Sequence, residues 1–254
     1  MAMNPKIADW RGKRVWLVGA SSGIGAALAR ELAGRGARLA LSGRDAEKLN
    51  ALAIDNALVL ACDATDVASL AAAHKSLRGT YGGVDLVIYL AGDYAPMRAE
   101  HFNLGQAERI IAVNFTGAMR LTASVLPDLL AEGGGIAFVA SAAGYRGLPK
   151  TLAYGPAKAA LIHFAECLHF DLAPKGIGVW VINPGFVATR LTAKNDFNMP
   201  ALMTPEQAAL ATVNGFTSGT FEIHYPKRFT RVMKLLSILP YGWYFPLVRY
   251  ITGG

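Results

Sequence analysis

The stretch Arg14-Val15-Trp16-Leu17-Val18-Gly19-Ala20-Ser21-Ser22-Gly23-Ile24-Gly25 decides the fold of this chain. It begins as an apolar run of strand length, breaks into glycine and serine, and continues into helix formers at residues 26–33. A strand, a glycine turn and a helix in this order can hold a pyrophosphate, because glycines let the backbone approach the phosphate oxygens and the helix offers free N–H groups. The spacing is Gly-x-x-x-Gly-x-Gly, and a tight βα turn without a ligand would show the same pattern.

Composition supports one large folded unit. The chain has 254 residues, of which 53% are hydrophobic and 17% charged, so a sizeable core is available and general disorder is excluded.

Its two cysteines, Cys62 and Cys167, form no C-x-x-C pair, so we expect no disulfide framework and no metal site. Residues 1–10 lack a signal-like apolar run, and no uninterrupted apolar stretch reaches about 18 residues. We therefore expect a cytoplasmic protein.

Further strands are predicted at residues 38–42, 58–62, 84–92, 135–141 and 178–183, with helical segments between them. This alternation predicts an α/β fold, a doubly wound parallel sheet of Rossmann-like type. We predict a single domain over 1–254, with a cofactor and catalytic core at 10–190, a substrate lid at 190–215 and a C-terminal extension at 226–254. Ligands of such sheets bind beyond the carboxyl ends of the strands. These ends carry Gly19, Asp63, Gly92, Ser141 and Pro184.

The end of the second predicted strand indicates which dinucleotide is preferred. A carboxylate at this place accepts hydrogen bonds from the ribose 2′-hydroxyl, whereas an arginine favours a 2′-phosphate. Arg44 stands here, and Asp45 is interpreted as the N-cap of the helix at 46–52. We expect NADP(H) to be preferred and NAD(H) to be possible, although a solvated loop charge would explain Arg44 equally simply. Asp63 is placed either to accept a hydrogen bond from an adenine amino group or to serve as a turn residue.

Three polar residues of the predicted helices stand out. Tyr154 and Lys158 are four residues apart, which places them on one helix face, where the ammonium can approach the phenol. An exposed helix face would show the same spacing. Asn114 lies in the middle of an apolar helix predicted at 104–130, and it needs a polar partner if it is buried.

Over about residues 12 to 190 the chain resembles the classical short-chain dehydrogenases/reductases. The resemblance implies NAD(P)-dependent carbonyl reduction or alcohol oxidation, and a homodimer or homotetramer built on the long helices around Asn114 and Lys158. The matching residues are Gly19-x-x-x-Gly23-x-Gly25, Asp63, Ala91-Gly92, Asn114, Ser141, Tyr154-x-x-x-Lys158 and Pro184-Gly185-x-x-x-Thr189. The cofactor contacts that it implies are Gly19, Ser21, Ser22, Gly23, Ile24, Gly25, Arg44, Asp63, Ala64, Ala91, Gly92, Tyr154, Lys158, Pro184, Gly185, Val187 and Thr189.

The resemblance also implies a mechanism. Tyr154 would be the general acid, with its pKa lowered by the Lys158 cation and by the positive nicotinamide in the oxidised complex, and Ser141 would donate a hydrogen bond to the substrate oxygen. Lys158 would also hold the nicotinamide ribose, and Asn114 would hold a water that links the lysine to solvent. The alternative is a catalytically idle NADP-binding sensor or scaffold, which would not need all four of these residues.

The chain departs from the family pattern at two places. Val18 stands where the family usually has threonine, and Tyr89-Leu90 replaces two asparagines before Ala91-Gly92. We expect these changes to remove side-chain bracing of the turn and of the central strands while leaving the reacting groups intact.

The C-terminal extension is basic, apolar and aromatic. Residues 226–254 contain no Asp or Glu, and their cations are Lys227, Arg228, Arg231, Lys234 and Arg249. This composition is typical of a helix at a membrane interface, so peripheral membrane contact is one interpretation. The others are packing on the protein's own cleft, which would indicate a large apolar substrate, or on a symmetry mate. Nucleic-acid binding is not expected, because the positive charge forms no stripe on a recognition element.

Overall fold

The computed structural model describes residues 3–253 and contains one sheet of seven parallel strands. The sheet order is β3-β2-β1-β4-β5-β6-β7, so the chain reverses direction across the sheet between β1 and β4. This confirms the predicted doubly wound, single-domain fold. The strands are β1 (Arg14–Val18), β2 (Arg38–Gly43), β3 (Leu58–Ala61), β4 (Leu86–Tyr89), β5 (Gly135–Val139), β6 (Gly178–Pro184) and β7 (Glu222–Tyr225).

Helices cover both faces of the sheet, which explains why the central strands β4, β5 and β6 are buried at every residue, whereas the edge strand β7 alternates. In β1, Val15 and Leu17 belong to one buried cluster, while Trp16 and Val18 belong to the cluster on the opposite face. The first cluster includes side chains of α1 (Gly23–Gly34), α2 (Ala46–Asn50) and α7 (Pro205–Ser218). The second includes those of α3 (Val67–Tyr81), α5 (Gly117–Glu132) and α6 (Tyr154–Leu172).

The helix predicted at 104–130 is interrupted. It consists of α4 (Leu104–Ile111), one π-helical turn at Ala112–Thr116, and α5. The stretch Leu104–Glu132 is long and apolar enough to cross a membrane by length and composition, with a mean hydropathy of 1.3. Its buried side chains pack in the core against the sheet, as in a soluble α/β domain.

The segment predicted as a substrate lid, residues 190–215, consists of two parts in the structure. Residues 190–203 are irregular apart from one turn at Thr192–Lys194. A single β-bridge joins Met203, at the end of this segment, to Val187, which precedes it. Residues 205–215 belong instead to α7, which is capped by Thr204 and buries Val213 and Phe216 in the core beside α1. The irregular part of the predicted lid therefore ends before α7.

The C-terminal extension forms two helices, α8 (Lys227–Ser237) and α9 (Tyr241–Thr252). One side of each packs on the protein, through buried Thr230 and Met233 in α8 and buried Tyr244 and Val248 in α9. The tail thus packs on its own domain through one side of each helix.

Candidate active site

A cleft of about 750 Å³ opens at the carboxyl edge of the sheet, a size typical of ligand pockets. All residues predicted above to bind the cofactor or to act in catalysis line it. The doubly wound topology explains this convergence, because the loops that follow β1, β4, β5 and β6 meet where the strand order reverses. In the described part of the chain, no residue beyond Lys194 lines this cleft, although Phe229 of α8 packs behind the lining residue Gly185.

The glycine turn after β1 requires glycine because the backbone is crowded there. Gly19 has φ +103°, and a Cβ on it would lie 2.4 Å from the Ala91 nitrogen. A Cβ on Gly25 would lie 2.3 Å from the Gly19 carbonyl oxygen. Ser22 precedes α1 without capping it through its side chain, so the first N–H groups of α1 are left for a ligand. This cradle fits a pyrophosphate.

Arg44 and Asp63 lie at the other end of the cleft, after β2 and β3. Asp45 accepts a hydrogen bond from the Lys48 backbone N–H at 3.1 Å, so it caps α2 as expected and Arg44 is the exposed cleft residue. Asp63 Oδ1 accepts hydrogen bonds from the N–H and the hydroxyl of Thr65, both at 2.8 Å. The Thr65 backbone bond lowers the pKa of Asp63 most, and the nearby Arg44 charge lowers it further.

Asn114 lies in the π-helical turn and is fully buried. Its Nδ2 donates to the Asp93 carbonyl at 2.7 Å and to the Ile110 carbonyl at 2.8 Å, which supplies the polar partners that the sequence called for. Within residues 3–253 its Oδ1 has no hydrogen-bond partner, and a Cβ on Gly92 would lie 3.2 Å from this oxygen. A buried unpaired acceptor that lines the cleft is suited to a bound water or hydroxyl.

The expected loss of bracing at Tyr89 is wrong. The Tyr89 hydroxyl donates to the Val113 carbonyl at 2.6 Å, so β4 is joined directly to the π-helical turn. Gly117 makes room for it, because a Cβ there would lie 2.2 Å from the Tyr89 hydroxyl oxygen. A longer side chain thus provides a brace where the family pattern has an asparagine.

Ser141, Tyr154 and Lys158 come together at the ends of β5 and α6. Ser141 follows β5, and its Oγ accepts a hydrogen bond from the Ala143 N–H at 3.1 Å. Lys158 is 3% exposed, and its Nζ donates to the Val139 carbonyl at 2.8 Å. The same Nζ lies 5.6 Å from the centre of the Tyr154 ring. The three side chains line one part of the cleft.

Burial controls the protonation of this pair. It raises the pKa of Tyr154 to about 12, against a smaller lowering by the Ser141 hydroxyl. It lowers the pKa of Lys158 to about 7. The expected lowering of the Tyr154 pKa by Lys158 and the oxidised nicotinamide concerns the cofactor complex and stays a prediction, whereas desolvation is the largest effect in the free chain. Tyr154 keeps its proton at neutral pH.

Sequence reasoning missed a polar group at the mouth of the cleft. Asp93 accepts a hydrogen bond from Arg109 Nε at 3.2 Å and lies 3.7 Å from Lys194 Nζ. All three side chains line the cleft. They come from a loop, a helix and the lid, far apart in sequence, and nothing in their spacing connects them.

Tyr94 joins the predicted lid to Tyr154. Its hydroxyl donates to Asn195 Oδ1 in the lid at 2.9 Å, and its carbonyl accepts a hydrogen bond from Lys194 Nζ at 2.5 Å. Its ring packs edge-on against Tyr154, with 5.1 Å between ring centres. Lys150 adds an ion pair to Asp196 at 2.6 Å. Several separate contacts thus hold residues 194–196 of the predicted lid in place beside the cleft.

Comparison with known proteins agrees with this geometry. Residues 13–199 match the family model described as short chain dehydrogenase. An uncharacterized oxidoreductase of Myxococcus xanthus strain DK1622 is 33% identical over 241 residues, which cover 92% of this chain and 95% of that protein. An uncharacterized oxidoreductase of Staphylococcus epidermidis is 32% identical over 215 residues, covering 83% of this chain and 94% of that protein.

Two solved structures are similar in fold. The crystal structure of a short-chain type dehydrogenase/reductase from Mycobacterium marinum has a TM-score of 0.76 and 25% identity, covering 85% of this chain and 94% of that chain. The crystal structure of a short chain dehydrogenase from Burkholderia cenocepacia J2315, in complex with NADP, has a TM-score of 0.82 and 23% identity. It covers 91% of this chain and 94% of that chain.

Proposed function

The chain belongs to the short-chain dehydrogenase family and is an NAD(P)-dependent oxidoreductase, and from this premise we propose that it uses NADP(H) to reduce a carbonyl group on an apolar substrate. Oxidation of the corresponding secondary alcohol is the reverse reaction. The observation that carries the proposal is the convergence of Ser141, Tyr154 and Lys158 in a cleft that also contains the exposed Arg44.

The residues of the cleft fit a nicotinamide dinucleotide. The glycine cradle at Gly19–Gly25 and the open end of α1 would hold the pyrophosphate, with Arg44 on the 2′-phosphate and Asp63 on the adenine. Ala91 and Gly92 would lie beside the adenosine, and the loop from Pro184 to Thr189 would lie beside the nicotinamide. Bound there, the nicotinamide supplies the hydride in reduction or accepts it in oxidation.

Tyr154 donates the proton in this proposal. A carbonyl that gains a hydride becomes an alkoxide, which needs a proton donor and a hydrogen-bond donor already in position. Ser141 would donate the hydrogen bond to the substrate oxygen, and Tyr154 would donate the proton. A Tyr154 pKa of about 12 keeps the phenol protonated at neutral pH, so that its proton is available for transfer to the alkoxide.

Lys158 and Asn114 support the proton donor. The Lys158 ammonium, close to Tyr154, would hold the ribose hydroxyls and stabilise the phenolate after proton transfer. The unpaired Oδ1 of Asn114 would accept from a water that links Lys158 to solvent.

An apolar substrate is proposed from the aromatic side chains beside the lid. Phe186 follows the cleft residue Gly185, and its ring centre lies 5.7 Å from that of Phe197 in the lid and 5.3 Å from that of Phe229 in α8. Such a cluster would accommodate hydrocarbon rather than a charged group.

Titration with NADPH and NADH tests the cofactor assignment. We expect NADPH to bind more tightly, and Arg44→Ala to weaken NADPH binding by roughly 10- to 100-fold while NADH binding changes little, since a hydrogen bond to a charged group contributes about 1.5–3 kcal/mol. Arg30→Ala, which removes an exposed arginine of α1 outside the cleft, is the control. Equal or tighter NADH binding by the wild type would contradict the assignment of Arg44.

Turnover is then measured by NADPH absorbance on ketones and aldehydes of rising chain length. We expect the rate to increase with chain length. Tight NADPH binding without turnover on any compound would favour the idle sensor over the enzyme.

A further inference from the structure

The outer surface of the two C-terminal helices is apolar although it faces solvent. We define this tail surface by eight side chains of α8, α9 and the turn between them, each more than half exposed. They are Val232, Leu235, Ile238, Tyr241, Trp243, Phe245, Tyr250 and Ile251. An exposed apolar patch of this extent marks an interaction site in most soluble proteins.

Positive charge surrounds this surface. Lys227, Arg228, Arg231 and Arg249 are exposed, and they form no ion pair among residues 3–253. Lys234 differs, because it pairs with Glu222 of β7. Since residues 226–254 contain no Asp or Glu, the four free cations are not neutralised within the tail.

Helical geometry places the apolar and basic groups on the same side. In α8, Thr230 and Met233 are buried, and at about 100° per residue Val232 and Leu235 point the opposite way, on the same side as Arg228 and Arg231. The side of an amphipathic helix that faces water normally carries few large apolar residues. Here it carries aliphatic residues and arginines together.

The same holds for α9. Tyr244 and Val248 are buried, while Trp243, Arg249 and Tyr250 lie on the outer side. Tryptophan and tyrosine beside basic residues are typical of helices that lie at the headgroup level of a membrane.

The loop after Ser141 holds these helices in a fixed orientation. Arg146 donates to the carbonyls of Leu236 and Ser237 at 3.2 and 2.9 Å, and its guanidinium lies 4.0 Å from the centre of the Tyr244 ring. The Tyr244 hydroxyl donates to the Gly147 carbonyl at 2.7 Å. The exposed sides of α8 and α9 therefore point away from the folded domain, to which the opposite sides of these helices are fixed.

We propose that the tail surface docks on an anionic lipid membrane, with α8 and α9 lying in the headgroup region and the folded domain above them. Charge complementarity selects lipid over a second copy of this chain. Two copies meeting through their tail surfaces would bring eight unneutralised cations together without one carboxylate from residues 226–254, whereas anionic headgroups pair with them.

Trp243 makes the proposal directly measurable. Of the four tryptophans, Trp10, Trp16 and Trp180 are at most 2% exposed, whereas Trp243 is 73% exposed. Its emission should shift to shorter wavelength when the full-length protein is mixed with phosphatidylcholine vesicles that contain phosphatidylglycerol. We expect the protein to sediment with these vesicles, less at high salt and much less with phosphatidylcholine alone. Trp243→Phe should lose the spectral shift but still sediment.

Matched variants separate the charge from the apolar contribution. Arg228→Gln with Arg231→Gln should weaken binding about 25-fold, since each basic residue near an anionic surface contributes about fivefold in affinity. Lys75→Gln with Lys175→Gln removes the same charge from exposed sites elsewhere and should leave binding nearly unchanged. Trp243→Ala with Tyr250→Ala should weaken binding, whereas Phe102→Ala, an exposed aromatic outside the tail, should not.

Two results would overturn the proposal. One is a failure to sediment with anionic vesicles, with Trp243 emission unchanged by them. The other is a Trp243 shift that depends on protein concentration without lipid and is unaffected by vesicles, which would assign the tail surface to a second copy of the chain. Neither readout depends on cofactor or turnover, so failure here leaves the oxidoreductase activity untouched.

Discussion

Burial in the folded protein strongly disfavours the charged form of Lys158. Its ordinary pKa is 10.5, and burial lowers it to about 7. Between these two pH values the unfolded chain binds a proton that the folded protein does not, so this group makes stability rise with pH across that window. Below pH 7 both states are charged and the folded state bears the full cost of burial.

Replacing Lys158 by methionine should therefore stabilise the protein while it removes activity. We expect Lys158→Met to raise the free energy of unfolding at pH 7 by at least about 1 kcal/mol, with a gain that shrinks towards pH 10. Urea denaturation at several pH values measures this, with Lys75→Met as the surface control. Equal or lower stability of Lys158→Met at every pH would contradict the desolvation of Lys158.

At the scale of single residues, the motifs predicted which side chains line the cleft but not how burial shifts their pKa values. Tyr154, Lys158, Ser141 and Arg44 line one cleft as their positions in the pattern indicated. Burial raises the pKa of Tyr154 to about 12 in the free chain, which its spacing from Lys158 does not indicate. Burial of that kind is a property of the packed structure rather than of sequence spacing.

At the scale of secondary-structure elements, the sequence did not predict the π-helical turn. Asn114 was identified as a residue that needs a partner, but the turn depends on Tyr89 reaching across from β4 to Val113 and on the missing Cβ of Gly117. π-helical turns are frequent at functional sites, since they free backbone carbonyls. Here the freed carbonyl of Val113 accepts from Tyr89 and stands next to Asn114.

Removal of the Tyr89 hydroxyl should affect both stability and catalysis. Tyr89→Phe leaves the Val113 carbonyl without this donor, so we expect a loss of about 1–2 kcal/mol in the free energy of unfolding and a lower kcat through displacement of Asn114. Tyr81→Phe is the control, because the Tyr81 hydroxyl also donates to a backbone carbonyl, that of Leu39, at 2.9 Å and away from the cleft. A kcat reduced equally by both variants would contradict a link from Tyr89 to the site.

The lid illustrates a second limit at this scale. The pattern of residues 204–215 does not reveal that α7 packs beside α1 in the core. The tethers from Tyr94, Lys194 and Lys150 were also not predictable, since each joins loops far apart in sequence.

For the whole molecule, the sheet was predictable because most of its strands are apolar runs followed by small or polar residues, whereas the edge strand β7 alternates. Parallel strands are buried on both faces, so few other structures fit a chain of apolar runs separated by helices. The position of the cleft then follows from the order of the strands. The tail was not predictable, because the side that a helix buries depends on the surface that receives it. Arg146 and Gly147, which hold α8 and α9, lie in a loop without a motif.

Assembly and location stay predictions. The family resemblance implies a homodimer or homotetramer, and a cytoplasmic location stays an expectation. Docking through the tail surface would make it membrane-peripheral.

Whether Tyr154 is the proton donor is decided by one comparison, that of NADPH binding and carbonyl turnover in the wild type and in Tyr154→Phe. We expect nearly unchanged NADPH affinity together with a loss of at least roughly a hundredfold in kcat on the best apolar carbonyl compound, because the variant lacks the acidic hydroxyl. Tyr81→Phe, whose hydroxyl lies outside the cleft, should keep its activity. A Tyr154→Phe enzyme that binds NADPH and turns over at close to the wild-type rate would contradict the proposed mechanism.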